Sequence, residues 1–190
     1  MKMKRILPFA NDLLEKAVKP GDIAVDATIG NGYDTVFLAG LVGENGRVYG
    51  FDVQEEAIAS SKKRLTQQGL SERVTIFHGG HENLSTLIPA DDHGKITGAI
   101  FNLGYLPGSD KTIVTRPETT IAATKQLLEM MAPEGIIILV IYHGHKGGVE
   151  ERDSLLGYCQ QIDQHTAHVL QYQFINQQNH PAFIIAIEKI

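Results

Sequence analysis

The chain of 190 residues holds one cysteine, Cys159, so no internal disulfide can form and the composition fits a reducing, cytoplasmic setting. Long apolar runs are missing too. The longest, residues 136–142, is strand-sized and far short of the ~20 residues that cross a membrane, so no membrane partner is expected. The opening stretch MKMKRILPFA is basic, but it has neither a long apolar segment nor a small-residue cleavage site, and it does not read as a signal peptide. Cations are outnumbered, with 17 Lys and Arg against 22 Asp and Glu and a net charge of −5. Broad non-specific nucleic-acid binding depends on neutralising phosphates and is not expected of such a body, although a local basic patch is compatible with it. No internal repeat, low-complexity stretch or linker interrupts the chain, and its length suits a single domain.

What is present is organised around residues 23–35, IAVDATIGNGYDT. An apolar, β-branched run over 23–28 breaks into Gly30-Asn31-Gly32, and a helical pattern opens at Tyr33. Strand, tight turn and helix in that order bring backbone N–H groups and a helix N-terminus up to a nucleotide-like ligand. The third glycine of a dinucleotide fingerprint would stand where Thr35 is, and that departure argues against NAD. Asp26 places a carboxylate at the same edge.

Apolar periodicity predicts a leading helix over 7–18, then strands at 23–28, 48–53, 74–78, 96–103 and 136–142. Helices at 33–41, 54–68, 115–131 and 149–162, with a short one ending near 88, separate or follow them. Strands and helices in alternation imply a parallel sheet with right-handed crossovers. Two last strands, 167–175 and 182–189, are joined by 176–181 alone, which leaves no room for a helix and predicts an antiparallel hairpin. The expected fold is α/β and Rossmann-like, a seven-stranded, mostly parallel sheet with one antiparallel strand and helices on both faces. That is the pattern of class I methyltransferases rather than of dinucleotide dehydrogenases.

Chemistry-bearing residues fall at the carboxyl ends of these strands. Asp52 ends the second strand roughly 20 residues after the glycine turn, where a carboxylate can accept from the ribose hydroxyls of a nucleoside cofactor. A helix N-cap is its other reading. Gln54 stands close by. Gly79-Gly80-His81 follows the third strand on the adenine side of such a site, where His81 either reads the base or caps its helix. The segment FNLGYLPG, residues 101–108, lies beside the first strand where the strand order reverses. There Asn102 supplies a side-chain oxygen and Leu103 a carbonyl, two acceptors for a substrate amino group. Tyr105 offers a face for stacking a base, worth about 1–3 kcal/mol, and Pro107 stiffens the loop. The alternative is an ordinary Gly/Pro turn. In YHGHKGG, residues 142–148, His143 and His145 lack a third partner for a metal. With Lys146 they read as a mobile, partly basic loop over the substrate. Arg116 in TRPETT is either a phosphate contact or a helix-start residue. Cys159, inside an amphipathic helix, reads as core and not as the nucleophile that methylation of a pyrimidine carbon needs.

The motifs VDATIGNGYDT, GFD, HENL, FNLGYLPGSD, TRPETT, IIILVIYHGH and FINQQNHPAFIIAIEKI together resemble the YtqB/MnmM-like family, nearly end to end. The resemblance implies an S-adenosyl-L-methionine-dependent tRNA methyltransferase. Its reaction methylates the amine of 5-aminomethyl-(2-thio)uridine at the wobble position, giving the 5-methylaminomethyl product. By motif it implies cofactor contacts at Gly30, Asn31, Gly32, Asp52, Gln54, Gly80 and His81. Asn102, Leu103 and Tyr105 fall where amino-directed methyltransferases carry Asn-Pro-Pro-Tyr, with Leu-Gly here in place of the two prolines. The implied partners are a tRNA anticodon stem-loop and a second copy in a homodimer. Tyr105, Pro107, Arg116, His143 and Lys146 are the candidates for touching the RNA. The sulfonium activates its own methyl group, so no metal or nucleophile is required. The alkyl amine must lose a proton before it attacks, and Asp26 and His143 are the candidate acceptors. Methylation of rRNA or of a small-molecule amine is the alternative activity. An NAD dehydrogenase and a non-catalytic RNA-binding module are opposed by the missing third glycine and by the intact acidic position.

Overall fold

The computed structural model describes residues 2–106, 108 and 113–190; Pro107 lies outside them. Seven strands form one sheet: β1 (Ile23–Asp26), β2 (Arg47–Asp52), β3 (Val74–His78), β4 (Ile96–Leu103), β5 (Met131–Ile141), β6 (Ala167–Tyr172) and β7 (Phe183–Lys189). They lie in the order β3-β2-β1-β4-β5-β7-β6, and only β7 runs antiparallel to its neighbours. This is the class I methyltransferase topology that the alternation of elements predicts. The reversal of strand order falls between β1 and β4.

Burial follows from that arrangement. β1 and most of β4 and β5 are covered on both sides, as parallel strands between two helical layers must be. One layer contains α1 (Ile6–Ala17) and α2 (Tyr33–Val42), with α3 (Glu55–Gln68) packed beside α2. The other contains α4 (Leu84–Leu87), α5 (Pro117–Met130) and α6 (Gly148–Gln160). Cys159 of α6 is buried in this second core, and burial pushes its thiol up to about 12, so it is no nucleophile. Among the described residues no helix is long and apolar enough to cross a membrane.

Several boundaries differ from the sequence pattern, each for a local reason. β1 stops at Asp26 because the chain beyond it divides its hydrogen bonds at the switch point. Ala27 N donates to Ile100 O on the β4 side (2.9 Å) and Ile29 N to Phe51 O on the β2 side (3.1 Å). α5 begins at Pro117, where the missing N–H is costless, and not at Thr115, whose N–H and hydroxyl are both committed to Gly104. β5 begins at Met131, paired with Ile96. A register shift then absorbs residues 132–135, including Pro133 and the left-handed Glu134 (φ 63°). β6 ends at Tyr172, which pairs with Ile184 one residue from the start of β7.

Candidate functional site

The turn after β1 is braced from below and from both sides. Asp26 is wholly buried, accepting from Thr28 N (3.2 Å) and from the Thr35 hydroxyl (2.5 Å). It thereby ties the strand end to the first turn of α2. Burial, with the charge of Asp34 second, pushes its carboxyl up to about 7. Gly30 N donates to Asp52 Oδ2 (2.9 Å), the Ser61 hydroxyl of α3 to Gly30 O (3.1 Å), and Arg64 Nε to Asn31 O (2.8 Å). The Arg64 guanidinium also lies 3.8 Å from the centre of the Tyr33 ring. Gly32 turns left-handed at φ 77° and packs against Ser61.

Above this turn opens a cavity of about 1150 Å³ along the carboxyl edge of the sheet. Its volume exceeds the ~300–1,000 Å³ typical of a single-ligand pocket, leaving room for two ligands side by side. At one end stand Asp52, Gln54, Gly80 and His81, and Gly30 and Asn31 also line the wall. Asp52 is not a helix cap: Gln54 is the N-cap of α3, and Asp52 Oδ1 accepts its backbone N–H (2.9 Å). One carboxylate therefore holds both the glycine turn and the entry to α3. His81 opens a 3-10 turn, but its ring points inward. Nδ1 lies 3.0 Å from Ala27 O, the ring meets Phe101 edge to face, and the buried Nε2 has no hydrogen-bond partner among the described residues. Burial lowers its pKa, so the ring is neutral; Nδ1–H donates to the carbonyl and Nε2 is left an acceptor.

The other end is built from the loop after β4. Asn102 N donates to the Thr28 hydroxyl (2.7 Å) and Asn102 Nδ2 to Asp34 Oδ2 (2.5 Å). Gly104 N donates to the Thr115 hydroxyl (3.0 Å), Thr115 N returns a bond to Gly104 O (3.0 Å), and Tyr105 bridges to Val114. The Thr115 hydroxyl in turn donates to Glu151 Oε2 of α6 (2.8 Å). Tyr105 is partly exposed and meets His145 edge to face, at 5.9 Å between ring centres. Arg116 is the N-cap residue of α5, its helix-start reading, and its exposed side chain lines the cavity.

Some residues singled out in the sequence stand elsewhere. Asp26 does not reach the cavity; the strand-end carboxylate is sealed under the turn as a brace. Gly32 is likewise packed beneath the wall rather than lining it. His143 turns away into a pocket formed by Phe183 and His180, and burial lowers its pKa. Lys146 is exposed but off the cavity wall. Leu103, by contrast, does line the cavity, and its carbonyl, expected as an amine acceptor, receives Tyr142 N at 3.2 Å on one of its two lone pairs. The cavity also presents Asp34 and His180, which the sequence reading passed over, with Tyr142 and His145 of the loop expected over the substrate. Asp34 carried a signal, an acid in the first turn of the helix that opens at the glycine turn; His180, in the distant loop before β7, carried none. Among the described residues no group of three or more His, Cys, Asp or Glu gathers as for a metal.

A family model described as "Putative rRNA methylase" matches residues 48–188. The chain belongs to that family. A "putative rRNA-methylase" from Clostridium thermocellum is 46% identical, with each chain covered over 100% and a TM-score of 0.96. A "putative methyltransferase" from Streptococcus mutans, solved in complex with SAH, is 37% identical over 99% of both chains, with a TM-score of 0.90. The "tRNA (mnm(5)s(2)U34)-methyltransferase, chloroplastic" of Arabidopsis thaliana is 31% identical over 98% of this chain and 70% of its own length. Family membership accounts for the shared fold.

Proposed function

We propose that the chain is an S-adenosyl-L-methionine-dependent methyltransferase that acts on the amine of 5-aminomethyl-(2-thio)uridine at the wobble position of tRNA. The observation that carries this is the near full-length similarity to the Arabidopsis tRNA methyltransferase, joined to a cavity whose far end holds Asn102, Asp34 and Tyr105. S-adenosyl-L-methionine fits the near end. Asp52 offers a carboxylate at the strand end after the glycine turn, and His81 Nε2 is a buried acceptor without a partner among the described residues. Asp52, Gln54, Gly80 and His81 would hold the nucleoside, with Gly30 and Asn31 along the wall. When bound, the cofactor supplies a methyl group already activated on a sulfonium.

The protein's own work is then positioning. Asn102 sits at the reversal of strand order, fixed by Thr28 and Asp34, and Tyr105 offers a ring face beside it for a base. Holding amine and methyl donor in one orientation converts a bimolecular reaction into an effectively unimolecular one, which can supply much of the rate. Arg116, exposed at the wall, is suited to a phosphate of the anticodon stem-loop. The test is methyl transfer from labelled cofactor to a stem-loop bearing 5-aminomethyluridine, with nucleoside mass spectrometry of the product. Methylation of that amine supports the reading; methylation of ribosomal RNA alone would move the chain to the activity its family description names.

A further inference from the structure

We propose that Asp34 receives the substrate's alkylammonium and takes the proton that must leave before methyl transfer. This rests on the wobble-amine reading above and adds to it a residue and a substrate charge. Asp34 stands in the first turn of α2, lines the cavity, and lies 2.5 Å from Asn102 Nδ2. A carboxylate only accepts, so Asn102 must turn its NH₂ toward Asp34, which leaves Asn102 Oδ1 as a second acceptor beside it. An ammonium carries three donors and no acceptor, and it matches that pair.

Of the other candidates, Asp26 is sealed under the turn and His143 faces Phe183 and His180 off the cavity wall, while the Leu103 carbonyl, on the wall, has one lone pair engaged by Tyr142 N and is too weak a base to take the proton. Asp34 is half-buried, and among the described residues no Lys or Arg pairs with it. Burial raises its pKa, which makes the carboxylate a better proton acceptor and an unfavourable charge until a cation arrives. The step balances. The ammonium gives one proton to Asp34 and becomes a neutral amine. Its lone pair forms the N–C bond as the C–S bond breaks, and that electron pair stays on sulfur. The product is a secondary ammonium, and Asp34 returns its proton to water.

The inference predicts selectivity for charge. Anticodon stem-loops carrying 5-aminomethyluridine or the neutral 5-hydroxymethyluridine would be titrated against wild type, Asp34→Asn, Asp34→Ser and Asp34→Glu, with cofactor affinity and melting followed alongside. Wild type should bind the aminomethyl loop about tenfold or more tighter than the hydroxymethyl loop. Asp34→Asn and Asp34→Ser should bind both alike, with turnover down about a hundredfold or more, and Asp34→Glu should recover part of the preference. Cofactor affinity should be retained throughout. If a folded Asp34→Asn or Asp34→Ser keeps the preference and the turnover, the assignment to Asp34 is overturned while the wobble-amine reading stands. If wild type methylates neither loop, that reading itself fails and this inference with it.

Discussion

The two glycines of the turn, Gly30 and Gly32, look equivalent in sequence, yet the structure gives them different jobs that a pair of alanine substitutions should separate. Gly32 has φ 77°, and an added Cβ would stand 2.7 Å from Ser61 Oγ, 2.9 Å from its Cβ and 3.0 Å from its Cα. Rotating the hydroxyl relieves only the first of these contacts, so α3 must move. A left-handed non-glycine residue costs about 1–2 kcal/mol, and overpacking a tight contact about 1–3 kcal/mol more. Gly30 has φ 54°, but its added Cβ would stand 3.4 Å from Leu106 Cδ1 and 3.9 Å from Thr28 O, both ordinary contacts. Its cost is then the backbone term alone, about 1–2 kcal/mol. For a chain of this size each kcal/mol lowers Tm by about 2–4 °C. Gly32→Ala should therefore melt about 10 °C below wild type and Gly30→Ala only a few degrees below it.

Cofactor binding should rank the other way once stability is allowed for. The Gly30 methyl projects into the wall that the ligand touches, whereas the Gly32 methyl projects into α3. Differential scanning calorimetry gives the first ranking and titration calorimetry with S-adenosyl-L-methionine, well below either Tm, gives the second. Equal melting losses, or a Gly32→Ala protein as stable as wild type, would refute the division of labour.

Asp52→Ala should weaken cofactor binding at least about tenfold and also lower stability by about 1.5 kcal/mol, because the Gly30 and Gln54 amides lose a charged acceptor; affinity unchanged in titration calorimetry would leave Asp52 as a brace only. Asn102→Ala should lose most of its single-turnover rate with cofactor affinity nearly retained, while Tyr105→Ala should weaken stem-loop binding by about 1–3 kcal/mol in a filter-binding assay. Stability should fall as pH rises from about 4 to 7, because the folded Asp26 carboxyl, raised from 3.8 to about 7, binds a proton that the unfolded chain has released. Asp26→Asn should flatten that slope in melting curves taken across the window, and an unchanged slope would remove Asp26 as its source.

The elements that position the site were legible in the sequence because their signals are local. The 23–35 segment carries its own change of period, from strand to turn to helix, and the short 176–181 connection forces the hairpin. What stayed hidden depends on which way a side chain faces at a junction. Asp26 and Asp52 are both strand-end aspartates, and nothing in their neighbours distinguishes them. The difference is that Thr35 lies above Asp26 and covers it, whereas Asp52 remains at the open edge. His143 and His145 stand two apart, which on a strand would give them the same face. The strand ends at Ile141, so that periodicity lapses, and one ring turns to Phe183 while the other turns to Tyr105. The Leu103 carbonyl could not be read either, since its partner, Tyr142 N, stands just past the end of β5, 39 residues further along.

The same hidden contacts explain how the start of a glycine-containing loop is held at the cavity. Leu-Gly at 103–104 lacks the stiffness that two prolines would give, and Gly104 adopts φ 152°. Stiffness is supplied instead by partners on every side. Thr28 holds Asn102 from the β1 turn, Tyr142 holds Leu103 from the end of β5, and Thr115 holds both backbone groups of Gly104. Thr115 is itself fixed by Glu151, whose other oxygen takes the Thr120 hydroxyl at 3.4 Å. Glu151 is almost wholly buried, and burial raises its pKa against the opposing pull of those two hydroxyls. The bracing group thus stands behind the cavity wall, on α6, and meets it through Thr115. Misplacement of a reacting group by about 1 Å can cost on the order of a hundredfold in rate. Residues 102–104 are therefore held by hydrogen bonds where two prolines would have held them covalently.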